Sequence, residues 1–229
     1  MNFASAKVRA ALPSRRARVA VLAAAGMLVA GGGFTAGAVA DGPSIPKSRT
    51  AVTILPAGQA NPSIANGVAF AKNVALYNSS GIGPSGLNTA APAGTPERYI
   101  DTAIFPGGVL PQGVTVTEAQ AINNLRRIGE NLSAMGLTFK DVVTMRVFLD
   151  APPGAARADY AGWNRAYRQY FANTNVLTGA TINVPLGTAP AAPPFFVNPT
   201  RVSRSTLEVA SLAVEGWLIE IEVDAVYPR

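Results

Sequence analysis

The most regular pattern of apolar and polar positions runs along the last stretch of the chain. Between residues 217 and 227, every second position from Trp217 to Tyr227 is apolar or aromatic, and the positions between them include three acids. A period of two is typical of a β-strand with one buried face. The pattern therefore predicts a terminal strand with one face on a core and another that carries Glu220, Glu222 and Asp224.

Two other stretches repeat their apolar residues at helical spacing. Residues 117–135 carry a single apolar stripe, which predicts an amphipathic helix. Thr117 and Gln120 have the spacing of a capping box at its start, and Gly136 is expected to end it. A second helix is predicted over residues 159–171, where a broad aromatic stripe is interpreted as core packing: Tyr160, Trp163, Tyr167, Tyr170 and Phe171.

Shorter runs rich in β-branched residues predict the remaining strands. Residues 67–71 and 74–78 flank Lys72-Asn73, and we expect them to form a hairpin with each other. The other predicted strands lie at residues 51–55, 142–149 and 205–210.

Two long segments separate these elements. Residues 79–115 and 174–200 are rich in glycine and proline, and proline interrupts both helices and interior strands. Loops of this length inside a domain often line a site or pack on a neighbour. The order of elements predicts an α+β domain, in which a mixed sheet carries two helices on one face.

The N-terminus has the pattern of an export signal. Five basic residues and no acid precede an apolar run at 19–30, and Ala38-Val39-Ala40 has the form that signal peptidase accepts. We predict a signal peptide over residues 1–40, with a retained anchor as the alternative. Ser14-Arg15-Arg16 leaves the general secretory and twin-arginine routes both open. Residues 41–60 are predicted to be a flexible lead-in.

Composition then removes several classes of chemistry. The chain of 229 residues has no cysteine and no histidine, which excludes catalytic triads that need either and sites built on thiolate or imidazole ligands. Its net charge of +6 belongs mostly to the signal, because the remaining 189 residues hold 14 basic and 13 acidic side chains. A charge of +1 argues against nucleic acid as a partner.

The acidic face of the terminal strand raises a question about function. Alternating acids are ordinary on a solvated sheet face. A polar sheet face can also become a subunit interface, where Glu220 or a neighbouring acid could lie beside Arg204 or Arg201 and lose its solvent. The residues alone leave both interpretations open.

Several segments in the C-terminal half resemble one family. The motifs that carry the resemblance occur in order and include Tyr160–Asn164, Arg204-Ser205 and Ile219-Glu220-Ile221-Glu222. Together with Leu132–Leu137 they resemble the Rid family of reactive-intermediate (imine/enamine) deaminases, also called YjgF-like. The match is good over 117–171 and 204–227 and weak over 66–82.

The resemblance implies a chorismate-mutase-like α+β fold assembled as a homotrimer with clefts between subunits. It implies hydrolysis of 2-imino or 2-enamino acids to 2-keto acids and ammonia, with no cofactor and no metal. The partners are then the small-molecule substrate and two further copies, without nucleic acid and without a membrane after signal cleavage. Localisation is expected to be periplasmic or secreted.

The same resemblance assigns candidate site residues. Arg204 would hold the substrate carboxylate, Glu220 would position the water, and Asn164 and Ser80-Gly81 would face the substrate. Each has an alternative: an interface salt bridge for Arg204, pairing with that arginine for Glu220, a helix-surface amide for Asn164 and turn chemistry for Ser80-Gly81. Arg146 is a further candidate for pairing with an acid.

The sequence also departs from the family. The tyrosine of a Gly-Pro-Tyr segment is absent, since this stretch reads Asn61-Pro62-Ser63. Thr206 stands where a cysteine is frequent in the family. Residues 61–229 are predicted to form a single domain of this family, with insertions at about 82–115 and 174–200. The leading hypothesis is an exported deaminase; a non-catalytic carboxylate-binding or scaffold trimer is the alternative, and ribonuclease activity is the weakest.

Overall fold

A computed structural model describes residues 50–228 of the chain. The predicted signal peptide and most of the first ten residues of the lead-in lie outside this range. The described part has six strands and two α-helices, with these bounds: β1 Ala51–Ile54, β2 Gly67–Phe70, β3 Leu76–Asn78, α1 Val116–Ala134, β4 Val142–Leu149, α2 Tyr160–Arg168, β5 Ser203–Glu208 and β6 Ile219–Val226.

Four strands form a mixed sheet in the spatial order β3-β6-β4-β5. Strand β6 is antiparallel to β3 and to β4, whereas β5 runs parallel to β4. On β6 the apolar set predicted from the alternation is fully buried and its acidic neighbours are half-buried. The helices and the sheet's apolar face share one core, so the α+β prediction is confirmed.

The predicted hairpin is wrong. Strand β2 pairs antiparallel with β1 in a separate two-stranded sheet, while β3 pairs with β6 at the far end of the chain. Spacing shows that a turn separates two runs, but it does not show which partner each run takes. By pairing with β6, β3 supplies hydrogen bonds to a strand edge that would otherwise be open.

The first helix begins at Val116, one residue before the predicted range, and its N-cap lies two residues before the predicted one. Thr115 is its N-cap and accepts a hydrogen bond from the backbone N–H of Glu118 at 3.1 Å. Thr117 and Gln120 are buried inside the helix instead, and the Gln120 amide donates to the carbonyls of Pro96 and Gly216. Gly136 follows the helix with a φ of 72°, as its predicted role as a stop requires.

Buried polar side chains hold the two long loops on the helices. Asn123 of α1 donates to carbonyls of the first loop, at Ser85 and Tyr99, over 2.8 Å each. Glu118 accepts from the backbone N–H of Gly187 in the second loop at 3.0 Å. Both loops therefore belong to the packed structure.

The outer edge of β5 is paired at its first residue, Ser203, with the chain's own segment 61–66. Ala65 donates its N–H to the Val202 carbonyl at 3.0 Å and forms a parallel bridge with Ser203. An open edge strand would offer its backbone groups to other chains. The segment thus brings residues 61–63 close to the arginine on β5. Within residues 50–228, none of the helices has the length and apolar character needed to cross a membrane.

Candidate functional site

Arg204 lies on the sheet face that the helices cover. It sits beside Met145 of β4, which is 1% exposed, and its neighbours on α2 are aromatic. The guanidinium carbon is 4.3 Å from the ring centroid of Tyr167 and 5.4 Å from that of Trp163. An arginine at a position that normally holds an apolar residue is therefore stacked on two rings.

One neutral amide completes the contacts of this guanidinium. Nη2 of Arg204 donates to Oδ1 of Asn164 at 2.8 Å. Two of the residues that were predicted to contact the substrate are therefore in contact with each other. None of the ion pairs within residues 50–228 includes Arg204. The predicted alternative of a salt bridge with Glu220 does not occur within the chain.

Burial is the main cause that lowers the pKa of Arg204, and the charge of Arg168 lowers it further, against an opposing effect of Tyr167. Arginine nevertheless remains protonated in proteins. A cation that is desolvated and has no paired carboxylate gains more from an incoming anion than a solvated one does.

Several polar atoms without partners surround Arg204. Its Nη1, Oγ1 of Thr206 and Nε1 of Trp163 are buried and have no hydrogen-bond partner within residues 50–228. Thr206 follows Arg204 by two positions on the same face of β5. Buried polar atoms are nearly always hydrogen-bonded, so these surroundings have unused hydrogen-bonding capacity.

Tyr167 supports the arginine, and sequence reasoning missed this role. Its hydroxyl donates to the Ser63 carbonyl at 2.8 Å, and burial raises its pKa to about 12, so the ring stays neutral. The aromatic stripe of α2 was interpreted as core packing. The sequence did contain a signal for this contact, since a strand arginine and helix aromatics that face the same core must come into contact.

Glu220 lies on the other, open face of the sheet. Residues 79–82 continue the pairing of β3 with β6 but contain one extra residue, because Ser79 bonds Val223 and Ile82 bonds Ile221. This is a β-bulge at Ser80-Gly81, a feature often found beside active sites. A Cβ at Gly81 would lie 1.9 Å from Oε1 of Glu220, so the glycine leaves room for the carboxylate.

The bulge and the carboxylate also have unused capacity. Neither the backbone N–H groups of Ser80 and Gly81 nor the Glu220 carboxylate has a hydrogen-bond partner among the described residues. The other two acids of this strand, Glu222 and Asp224, each form an ion pair. Arg146 lies 3.3 Å from both Glu222 and Asp224, in agreement with its predicted pairing with an acid.

The predicted site residues therefore fall into two half-sites. One half-site is Arg204 with Asn164 on the helix face, and the other is Glu220 with Ser80-Gly81 on the open face. Arg204 on β5 pairs with Met145 on β4, and Met145 pairs with Val223 on β6. Arg204 therefore lies two strands away from β6, at the level of a residue three positions beyond Glu220. Strand geometry separates their Cα atoms by roughly 14 Å. One copy does not bring its two half-sites together.

The described residues offer little for a metal, since they contain no group of three or more acids that could hold one. The half-sites supply instead a cation, amide and hydroxyl donors, a carboxylate and backbone N–H groups. These groups bind a carboxylate and orient a water molecule.

Comparison with known proteins gives one family. The family model described as Endoribonuclease L-PSP matches residues 106–227. No curated protein matches the chain. Solved structures that are similar include a Rid-family protein from Yersinia pestis, with 19% identity over 77% of this chain and 98% of that one, at a TM-score of 0.42.

Two further structures show the same range of similarity. A member of the YjgF/YER057c/UK114 family from Mycobacterium tuberculosis is 17% identical over 78% of this chain and 100% of its own, with a TM-score of 0.36. TdcF from E. coli, with bound serine, is 22% identical over 77% of this chain and 100% of its own, with a TM-score of 0.38.

Proposed function

The chain belongs to the YjgF/Rid family, and from this premise we propose that it is an exported hydrolytic deaminase of 2-imino and 2-enamino acids. The observation that carries the proposal is Arg204, a half-buried guanidinium held by two rings and one amide and without a paired carboxylate in residues 50–228. Such a group is suited to bind the carboxylate of a small acid.

The reaction needs few groups. Water adds to C2 of the imine, the C2–N bond breaks, and ammonia leaves a 2-keto acid; an enamine first takes a proton at C3 to become the imine. Arg204 and Asn164 hold the carboxylate, and Glu220 orients the water and accepts its proton. The N–H groups of Ser80 and Gly81 donate to the substrate.

The separation of the half-sites supports a site shared by two copies. We propose that Glu220 and the bulge of one copy face Arg204 and Asn164 of the next, in a homotrimer. A contact between different surfaces of identical chains closes into a ring when its rotation permits. The predicted signal peptide would place this assembly outside the cytoplasm.

An in situ assay tests the proposal. An amino-acid oxidase generates imines, and the purified mature chain is expected to accelerate their conversion to keto acid while it suppresses semicarbazone formation. Glu220→Gln should lower kcat/KM roughly 10²- to 10³-fold, since a positioned acid–base group contributes about that much. Glu222→Gln is the matched control, because Glu222 already pairs with Arg146.

Absence of turnover by the wild-type chain, with tight binding of small carboxylates, would instead establish the non-catalytic carboxylate-binding trimer. Equal rates for wild type and Glu220→Gln would remove Glu220 from the mechanism.

Gly81→Ala should separate the position of Glu220 from its chemistry. The added Cβ would lie 1.9 Å from Oε1, so the carboxylate must move, while the backbone of Gly81 accepts alanine without a positive φ. A displacement of about 1 Å is expected to lower kcat/KM up to 10²-fold at a nearly unchanged Tm. Gly67→Ala, which meets nothing within 4 Å, is the control. Wild-type kinetics in Gly81→Ala would contradict the proposed role of the bulge.

A further inference from the structure

Two more arginines surround the segment that replaces the family tyrosine. Arg168 donates to Oδ1 of Asn61 and to Oγ of Ser63, each at 2.7 Å. Arg201, which is 2% exposed, donates to the same Oδ1 at 3.3 Å and to the Pro62 carbonyl at 3.2 Å. Because they share one acceptor atom, the two guanidinium groups lie close together.

Tyr167 connects this pair with Arg204. Its hydroxyl donates to the carbonyl of Ser63, the residue whose Oγ accepts from Arg168, and its ring centroid lies 4.3 Å from the guanidinium carbon of Arg204. Burial is the main cause that lowers the pKa of all three arginines, and Arg168 lowers the pKa of both others by its charge. The three cations thus form one cluster around a single neutral ring.

No carboxylate of the described residues forms an ion pair with this cluster. Among residues 50–228, the hydrogen-bond acceptors of Arg168 and Arg201 are neutral oxygens, and the ion pairs involve other arginines. The half-site at Arg204 therefore lies in the field of three positive charges. Glu220 of the next copy would contribute one negative charge, which leaves +2 for the substrate to balance.

We propose, on the basis of the proposed function, that the preferred substrate carries two negative charges and is a 2-imino dicarboxylic acid. Its 1-carboxylate binds Arg204, and its second carboxylate lies on the side of Arg168. Water adds to C2 and ammonia leaves, so that the product is a 2-keto dicarboxylate and both carboxylates remain unchanged.

Anchoring of residues 61–63 alone is the competing role of Arg168 and Arg201. That role needs hydrogen bonds but no charge, and it predicts no preference between substrates. Charge preference is therefore the measurement that separates the two roles.

The experiment compares two imines with four carbons each, generated in situ from aspartate and from 2-aminobutanoate. The imine from aspartate carries a second carboxylate where the imine from 2-aminobutanoate carries a methyl group. The wild-type chain is expected to show a kcat/KM at least roughly tenfold higher for the dicarboxylate, because one further charge at several ångströms contributes about that much. The ratio should fall as salt is raised from low to high ionic strength.

Arg168→Gln should lower this ratio toward one, whereas Arg157→Gln should leave it unchanged, since Arg157 is exposed and stacks on Tyr160. A wild-type ratio at or below one, or an equal ratio in both variants, would overturn the inference. If Arg168→Gln does not fold, the wild-type ratio and its salt dependence decide.

A binding measurement distinguishes failure of this inference from failure of the proposed function. If neither imine is hydrolysed, the proposed function fails, and calorimetry with succinate and butanoate decides the present inference. Tighter binding of succinate supports it, and equal affinities contradict it.

Discussion

Arg204→Met is expected to remove nearly all turnover of imino acids without loss of stability. The guanidinium supplies the carboxylate contact, and loss of such a charged hydrogen-bonding partner lowers kcat/KM by about 10³-fold, or ~4 kcal/mol. Methionine keeps an unbranched apolar stem against Tyr167 and Trp163. The assay with oxidase-generated imines measures the effect, and Arg204→Lys is expected to recover only a small part, since it lacks the planar fork.

The second part of this prediction concerns the stability of Arg204→Met. Nη1 of Arg204 is buried without a hydrogen-bond partner among the described residues, so removal of the cation also removes a desolvation cost. The free energy of unfolding should stay the same or rise. A structural salt bridge between subunits would give the opposite pattern, with a lower Tm and a changed oligomeric state but no selective loss of carboxylate binding.

Glu118→Ala is expected to lower the free energy of unfolding by about 3 to 5 kcal/mol. The Glu118 side chain is 0% exposed, and its Oε2 accepts from Nε and Nη2 of Arg165 at 2.9 and 2.7 Å. Its Oε1 holds the N–H of Gly187, so one substitution releases α2 and the second long loop together. Tm should fall by about 10 °C in a thermal melt.

Two comparisons test the cause of that loss. Arg146→Ala removes an arginine whose side chain is 47% exposed and which pairs with Glu222 and Asp224, and it should cost less than about 1 kcal/mol because the cation is solvated. A double variant in which methionine replaces both Glu118 and Arg165 should be more stable than Glu118→Ala. Equal losses from both pairs would show that burial of Glu118 does not set its contribution.

The sequence predicted those parts of the fold that depend on one element at a time. Alternation along residues 217–227 predicted which side chains of β6 are buried, because the period itself defines the two faces. The partner of β3 could not be predicted, since the pairing residues are separated by most of the domain. Thr115 and Thr117 each have an acid or amide three residues later, and only packing of Gln120 selects the earlier cap.

The site divides in the same way. The resemblance selected Arg204 and Asn164, which are hydrogen-bonded, and Glu220 and Gly81, which are in contact. It did not show that the two pairs lie on opposite faces, because this depends on the register of β5 and β6 against β4. The cluster of three arginines was also not predicted, since it depends on the contacts that residues 61–63 make with Tyr167, Arg168 and Arg201.

The placement of two half-sites on opposite faces of one sheet also makes specific activity depend on protein concentration. Under the proposed function, a copy that leaves its assembly keeps its fold but retains two incomplete halves. Specific activity then falls on dilution at a temperature far below the thermal transition. The concentration of the protein, rather than its stability, would set what fraction of it is active.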